Sequence, residues 1–593
     1  MGKSPRYRLA VTIFAASVLA ASLVVAQSGR PGARRPVRAL GPGGDADATS
    51  VNIDVTKVGV VKPTLGEPAR AQVIDLGDNY RAVPTTRSFS TTELKLGEEE
   101  ELRLLSASVG RSDVIDQADQ LQAPHGGATS ITLGTGFAGL KQGNNGGPSF
   151  WSIPPDTVGD VGATEYVQAV NTVFAVYDKA TGNRLFGPAP QSSLFGSNFC
   201  GTHDHGDPIV LYDEAADRFL ISQFALNLNT ETYYECIAVS QTGTPSDGLW
   251  YAYQFTYPKP FLNDYPKFGV WPDAYYASFN QFDLSARNPW RGSGAIAYER
   301  DQMLLGNMAD QIYFNLYPIR RDLFLPSDWD SPTAPPAGMP NVFLTVDSDD
   351  AYFPFTDDQV EFWAFDPNFV APANSTFTQL AVPSNNTEGG LDVANFNPWV
   401  CGAPKFACIP QKNSNTKLDA LNDRLMNRLQ YWNQGGDQHL VVNHTVKSND
   451  GGAGVRWYDF INTTQNPSSP AWAVNNQGTY GPGKLHRWMG SAARNDLGDL
   501  AIGYSTSSGA RFPGISVAAR AAADVANTLT AAAKVFTGTG SEKGQANRWG
   551  DYSAMSVDPT DNCTFWYTQQ YYSKTGQWRW ATRIQSFTVS ACV

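Results

Sequence analysis

Arg548-Trp549-Gly550-Asp551-Tyr552-Ser553 stands near the C-terminus, followed by the turn Asp558-Pro559-Thr560-Asp561 and the apolar run Thr564-Phe565-Trp566-Tyr567. The order is a charged residue, a short strand, an acidic turn and a second strand. It recurs upstream as Arg487-Trp488-Met489-Gly490, Asn495-Asp496-Leu497-Gly498-Asp499 and Leu500-Ala501-Ile502-Gly503-Tyr504. It recurs again as Asp207-Pro208-Ile209-Val210, a turn from Asp213 to Asp217, and Arg218-Phe219-Leu220-Ile221. Copies led by Asp156, Asp264 and Arg428 fit the same template. A hairpin unit repeating every ~50–60 residues, with room for two more strands, has the period of a propeller blade with extended loops.

Glu235-Cys236-Ile237-Ala238-Val239 and Trp250-Tyr251-Ala252-Tyr253-Gln254-Phe255 supply such third and fourth strands. Between Asp264 and Arg428, residues 342–346, 360–365 and 377–380 make one more blade. The fold expected is all-β: a β-propeller of seven blades, with six or eight as the adjacent counts, preceded by an N-terminal extension. A pair of β-sandwiches would not produce the period. Residues 518–535 are Ala-rich and favour helix on propensity alone, but their place between two units fits an outer hairpin.

Lys3, Arg6 and Arg8 precede an apolar stretch, and Val24 and Ala26 sit at the small-residue positions before a cleavage site. Residues 1–26 therefore read as a secretory signal peptide, which if uncleaved would be a membrane anchor. Residues 27–50 are a Gly/Pro/Arg-rich linker, 51–130 a partly ordered extension and 131–593 the propeller. Within the extension, Val58 to Val61 read as a strand, and the acids Glu98 to Glu101 precede a run that would start a short helix. Six cysteines in an exported chain predict disulfides, with Cys200–Cys236, Cys401–Cys408 and Cys563–Cys592 as the preferred pairing. The location expected is secreted or cell envelope. The net charge is −12 and no basic face is apparent, which argues against nucleic acid as a partner.

The first strand of each blade begins beside the channel, so the leading residues should meet at one mouth. The candidates are Asp156, Asp160, Asp207 and Asp264 from the early blades, and Arg428, Arg487, Arg548, Asp551 and Tyr552 from the late ones. Acids would line one arc and arginines the other. Arginine forks suit carboxylate, sulfate or phosphate; the acids suit a cation or sugar hydroxyls. The competing reading is that such residues only fix blade-to-blade geometry. His203, Asp204 and His205 are the densest metal-type cluster, in a Gly-flanked segment that reads better as a loop with incidental histidines. Residues 347–350, Asp-Ser-Asp-Asp, are the one place where calcium would find ligands, without the spacing of a known loop. No other cofactor motif is present.

The stretches Pro154-Pro155-Asp156-Thr157-Val158-Gly159-Asp160, Asp207-Pro208-Ile209-Val210-Leu211-Tyr212-Asp213, Asp264-Tyr265-Pro266-Lys267-Phe268-Gly269-Val270-Trp271-Pro272-Asp273, His486-Arg487-Trp488-Met489-Gly490 and Arg548-Trp549-Gly550-Asp551-Tyr552 occur in order. In this the chain resembles a broad group of exported bacterial β-propeller-like proteins. That resemblance implies export and a β-repeat fold, and it assigns no catalytic residues. Arginines with tyrosines also resemble sialidases distantly, although the Ser-x-Asp-x-Gly-x-Thr-Trp boxes of that family are absent.

The function expected is an exported module that binds an extracellular glycan, an anionic small molecule or a protein at its mouth or loops. The alternative is a carbohydrate-active enzyme, a sialidase-like glycoside hydrolase or a lyase, using the Arg/Asp/Tyr ring. A binder needs no titrating pair, whereas an enzyme needs an acid and a base within reach of one substrate atom.

Overall fold

A computed structural model describes residues 61–77, 129–144, 149–150, 152–286, 289–319, 321, 323–349, 357–384, 389–402, 406–590 and 592. Among the described residues seven blades of antiparallel strands follow one another along the chain, the fourth and fifth joined by a parallel pairing of their first strands. Their first strands are Val158–Val161, Ile209–Asp213, Leu262–Val270, Leu325–Trp329, Leu429–Gln434, His486–Arg494 and Ala554–Val557. Each packs beside the next, and the seventh packs beside the first, so the ring is closed. The predicted seven-bladed propeller is the fold observed.

Blade strands are covered on both faces by neighbouring blades, so they are near-continuous apolar runs rather than alternating ones. Ile209–Asp213 and Tyr275–Phe282 are buried at every position. Tryptophans fill the gaps and stitch blades together through the indole N–H. Trp549 donates to Ser505 Oγ (2.9 Å) and Trp580 to the Ser152 carbonyl (2.9 Å). The Ala-rich segment is a hairpin, Arg511–Arg520 with Ala531–Phe536, because blade packing outweighs helix propensity.

Ring closure is made by the N-terminal side of the chain. Thr132–Lys141 pairs with Trp580–Thr588 as the outermost strand of blade seven. Thr582 Oγ1 donates to the Leu140 carbonyl at 2.7 Å, across 442 residues of sequence. Cys563–Cys592 ties the turn before the second strand of that blade to the segment after its third. All three disulfides form in the predicted pairing.

Two pieces of the extension are blade strands too. Gln72–Asp75 pairs with Leu249–Thr256 in blade two, and Thr64–Leu65 with Gln311–Asn315 in blade three. The segments read as signal, linker and acid-led helix lie outside the described residues, as does all of the predicted 58–61 strand except Val61. Among the described residues no helix is long and apolar enough to cross a membrane. Removing residues 1–141 is expected to leave blade seven without its outer strand, giving an aggregating chain with no cooperative melt. Removing residues 1–60 should leave the melt intact, and scanning calorimetry of the two truncations checks this.

Candidate functional site at the channel mouth

Five of the seven blades place a left-handed residue at the head of the first strand: Asp156 (φ 49°), Asp207 (φ 52°), Tyr265 (φ 53°), Met489 (φ 56°) and Asp551 (φ 65°). Val158, Ile209, Lys267 and Ser491, each two residues on, begin or resume regular pairing with the second strand. The structural equivalents in blades three, six and seven are therefore Tyr265, Met489 and Asp551, not Asp264, Arg487 and Arg548. Irregular pairing at Asp264/Lys267 and Trp488/Ser491 shifts the register, which a template based on charge does not detect. The expected acid-to-arginine polarity around the ring disappears with that correction. A left-handed tyrosine and a left-handed methionine cost on the order of 1–3 kcal/mol each, and such strain concentrates at functional sites.

The mouth is narrow enough for side chains to reach across it. Tyr265 in blade three donates its hydroxyl to the Asp551 carbonyl of blade seven (3.0 Å), and Tyr552 donates to the Pro208 carbonyl of blade two (3.0 Å). The Asp156 N–H donates to Gly550 (3.0 Å), joining blade one to blade seven. Between these ties lie three buried carboxyls, Asp156, Asp207 and Asp551, and the buried Lys267. The Lys267 ammonium sits 3.4 Å from the Tyr265 ring centroid and 4.1 Å from that of Tyr552, and it donates to the Pro266 carbonyl (2.8 Å).

Burial, then repulsion from Asp551 and Asp207, raises Asp156 well above the carboxylate range. Asp207, as well as Asp551, adds to the repulsion that favours the protonated form of Asp156. Asp207 is pushed up to about 6, by burial first and then by Asp551, with Lys267 and the Tyr265 N–H (3.2 Å) opposing. Asp551 is raised by burial against the pull of Arg548, its ion-pair partner, and of Lys267. Burial lowers Lys267 to about 7 despite the three acids. Asn171 completes the group: its Oδ1 accepts from the Asp207 N–H (2.7 Å) and its Nδ2 donates to Pro154 (3.1 Å). Asp156 Oδ1 has no hydrogen-bond partner.

The other predicted residues lie elsewhere. Asp160, within the first strand of blade one, accepts from Arg428 Nη1 (3.1 Å). Arg428 also contacts Asp328 (Nε to Oδ2, 3.0 Å) and Asp330, as close charge pairs rather than aligned hydrogen bonds. It is a buried clamp joining blades one, four and five. Asp264 lies in the blade-three irregularity opposite Asn280. Arg487 donates to the Pro482 and Leu485 carbonyls (2.8 Å each) and covers Tyr480, away from the Arg428 clamp.

The His-Asp-His segment makes no ligand set. The His203 ring stacks on Phe199 (3.9 Å), Asp204 accepts from Ser192 N and Oγ (2.6 and 2.9 Å), and His205 Nδ1 accepts from the Leu226 N–H (3.0 Å). Asp347 is buried against Arg321 (3.4 Å) and Gln359 (3.2 Å), not on an open loop. Among the described residues no group of three or more His, Cys, Asp or Glu is placed to hold a metal ion.

The connection between blades four and five covers the mouth. Its hairpin, Ala407–Gln411 with Ser414–Asp419, carries the Cys401–Cys408 disulfide at its start. It is fixed to blades six and seven through Ser507 Oγ to Pro410 O (2.7 Å), Ser414 Oγ to Glu542 O (2.7 Å) and Asp419 N to Asn547 O (2.8 Å). The chain then brings Arg424 over Tyr265, with its guanidinium 5.1 Å from the ring centroid and paired to both Asp423 oxygens at 2.8 Å. Lys267, Tyr265, Arg424 and Asn171 carry no feature in the repeat template, so sequence reasoning passed over them.

No protein-family profile matches the chain, and no curated protein matches it. Among solved structures it is similar to an α-L-arabinanase from Penicillium chrysogenum complexed with arabinobiose, at 8% identity and a TM-score of 0.34, covering 66% of this chain and 99% of that one. It is similar to an α-L-arabinofuranosidase from Fusarium graminearum in complex with an iminosugar inhibitor, at 9% identity and a TM-score of 0.34, covering 66% and 98%. An endo-arabinanase from Bacillus licheniformis matches at 10% identity and a TM-score of 0.24, covering 62% and 93%. Likeness at this level assigns no activity, and the chemistry has to come from the residues of the mouth.

Proposed function

We propose that this chain is a carbohydrate-active enzyme, a glycoside hydrolase or lyase, whose proton transfers are carried by Asp156, Asp207 and Asp551. The observation behind this reading is that three buried carboxyls, Asp156, Asp207 and Asp551, crowd one mouth, where burial raises all three and the Asp551 charge raises Asp156 and Asp207 further. Carboxyls that cannot all ionise supply, near neutral pH, one acid that keeps its proton and one carboxylate that can accept one. Breaking a glycosidic bond calls for that combination. Asp156 is the proton donor, with Oδ1 unengaged for a substrate oxygen. Asp551, whose charge Arg548 and Lys267 offset, is the base or nucleophile. Lys267 titrates near neutrality and stabilises whichever acid ionises.

The test is product release from a panel of neutral and acidic polysaccharides, with arabino-oligosaccharides included. Asp156→Asn is expected to lower turnover about 10²–10⁴-fold, while Arg487→Ala leaves it near the parent value. A parent protein that releases nothing from any member of the panel, or an Asp156→Asn variant with full turnover, overturns the reading.

A further inference from the structure

The protein carries a net charge of −12, yet part of its top face is built from cations. Lys412 and Lys417 come from the mouth hairpin and Arg511 from the blade-six loop beneath it. Lys543 comes from the connection into blade seven, and Lys574 and Arg579 from that blade's loop at residues 573–579. The fold places these segments side by side. Lys412 N donates to Arg511 O (3.3 Å), Ser541 Oγ to Lys412 O (2.6 Å), Thr416 Oγ1 to Gly544 O (3.3 Å) and Lys543 N to Gly576 O (3.3 Å).

Five of the six cations are exposed and Lys412 is half-buried. Among the described residues none of the six has an ion-pair partner. The acids of the same segments point away from the surface. Glu542 is buried, accepting from the Gly544 and Trp578 N–H groups and the Tyr572 hydroxyl, and Asp419 accepts from the Leu421 N–H (2.9 Å). Two half-buried rings, Phe512 and Trp578, are interleaved with the cations, and Lys412 Nζ lies 5.0 Å from the Phe512 centroid. The surface runs to Asn547 and Arg548, and Arg548 is paired to Asp551 at the mouth.

Spaced ammonium and guanidinium groups hold a flexible chain of separated anionic groups, and the rings offer stacking faces between them. A net negative charge around this basic track disfavours broad polyanions such as duplex nucleic acid. We propose that this surface holds an anionic polysaccharide, a uronate- or sulfate-bearing chain, and delivers it to the mouth. Only the delivery rests on the enzymatic reading above; the binding does not.

The experiment uses the full chain with polygalacturonate, neutral arabinan, anionic phospholipid vesicles and duplex DNA as probes. Polygalacturonate is expected to bind, and to weaken about tenfold or more between about 50 and 300 mM salt. The triple variant Lys417→Glu/Arg511→Glu/Lys543→Glu should lose about 100-fold in affinity with an unchanged melting temperature, since all three side chains are exposed. The milder Lys417→Gln/Lys543→Gln pair should show a smaller loss in the same direction, and it decides the matter if charge reversal disturbs the hairpin. Absence of polygalacturonate binding, indifference to both variants, or tighter binding of vesicles or DNA overturns the proposal. Asp207→Asn should bind like the parent. Polygalacturonate binding with no product released from any polysaccharide of the panel would sink the enzymatic reading alone, and cleavage of arabinan with polygalacturonate binding untouched by the triple variant would sink this proposal alone.

Discussion

Arg428→Met is expected to destabilise the protein by about 3–5 kcal/mol, the cost of removing one partner from a buried ion cluster. The substitution keeps most of the stem but leaves Asp160, Asp328 and Asp330 facing one another without their cation. Neither Asp160 nor Asp328 can turn to solvent, because each also accepts a backbone N–H of a neighbouring blade, from Tyr212 (2.9 Å) and Val270 (2.8 Å). Glu214 is already raised well above the carboxylate range, by burial and then by Asp160, with Arg428 opposing, and the variant would raise it further. The deficit should shrink as pH falls through about 6 and below, because Asp328, already pushed up to about 6 by burial with Arg428 opposing, takes up a proton more readily without its cation. Guanidinium unfolding midpoints at pH 7 and pH 4.5 measure both effects. A loss of under about 1 kcal/mol at pH 7 would show that the clamp is dispensable.

Asp207→Asn should remove turnover and yet raise stability at pH 7. With its pKa raised to about 6 in the folded protein, against 3.8 as its ordinary value, Asp207 binds a proton when folded that the unfolded chain has already lost. Its contribution to stability is fully present below about pH 4 and is lost as pH rises through about 6. At pH 7 this amounts to on the order of 3 kcal/mol against the fold, which a neutral amide removes. The gain should therefore be seen at pH 7 and vanish at pH 4. Lys267 works in the opposite sense. Lowered to about 7 from 10.5, it contributes stability above about pH 10 that is lost as pH falls through 7, so these two groups together weigh most against the fold close to neutrality. Thermal melts across pH 4–10 check the sign. Equal stability of parent and variant at pH 7, with full activity in the variant, would remove Asp207 from the site. Marginal stability given up at a mouth that needs unpaired acids is the usual exchange between stability and function.

The blades were legible because a propeller repeats its hairpin at a fixed period, and the apolar runs at residues 342–346 and 360–365 have that hairpin's character without its charged lead. Asp156, Asp207, Asp551 and Tyr552 were legible as members of one mouth because the fold carries the heads of all first strands there. The alignment failed at Tyr265 and Met489, where an irregular pairing moves the left-handed residue past the charged one. Lys267 went unseen for the same reason. Arg428 carries a leading charge, but its direction, down the channel rather than into the mouth, depends on Asp328 and Asp330 from another blade. The basic surface was invisible because Lys417, Arg511, Lys543 and Lys574 are far apart in sequence and become neighbours only when the mouth hairpin lies across blades six and seven.

The pairing of Thr132–Lys141 with Trp580–Thr588 also sets the order of assembly. A strand made early must wait for one made nearly last, and until then blade seven has no outer edge and the ring stays open. Every chain that stops short, whatever the number of finished blades behind it, presents an unclosed circle to chaperones and proteases. The closure thus makes the ring conditional on two distant stretches at once, and a chain lacking either Thr132–Lys141 or Trp580–Thr588 cannot complete blade seven.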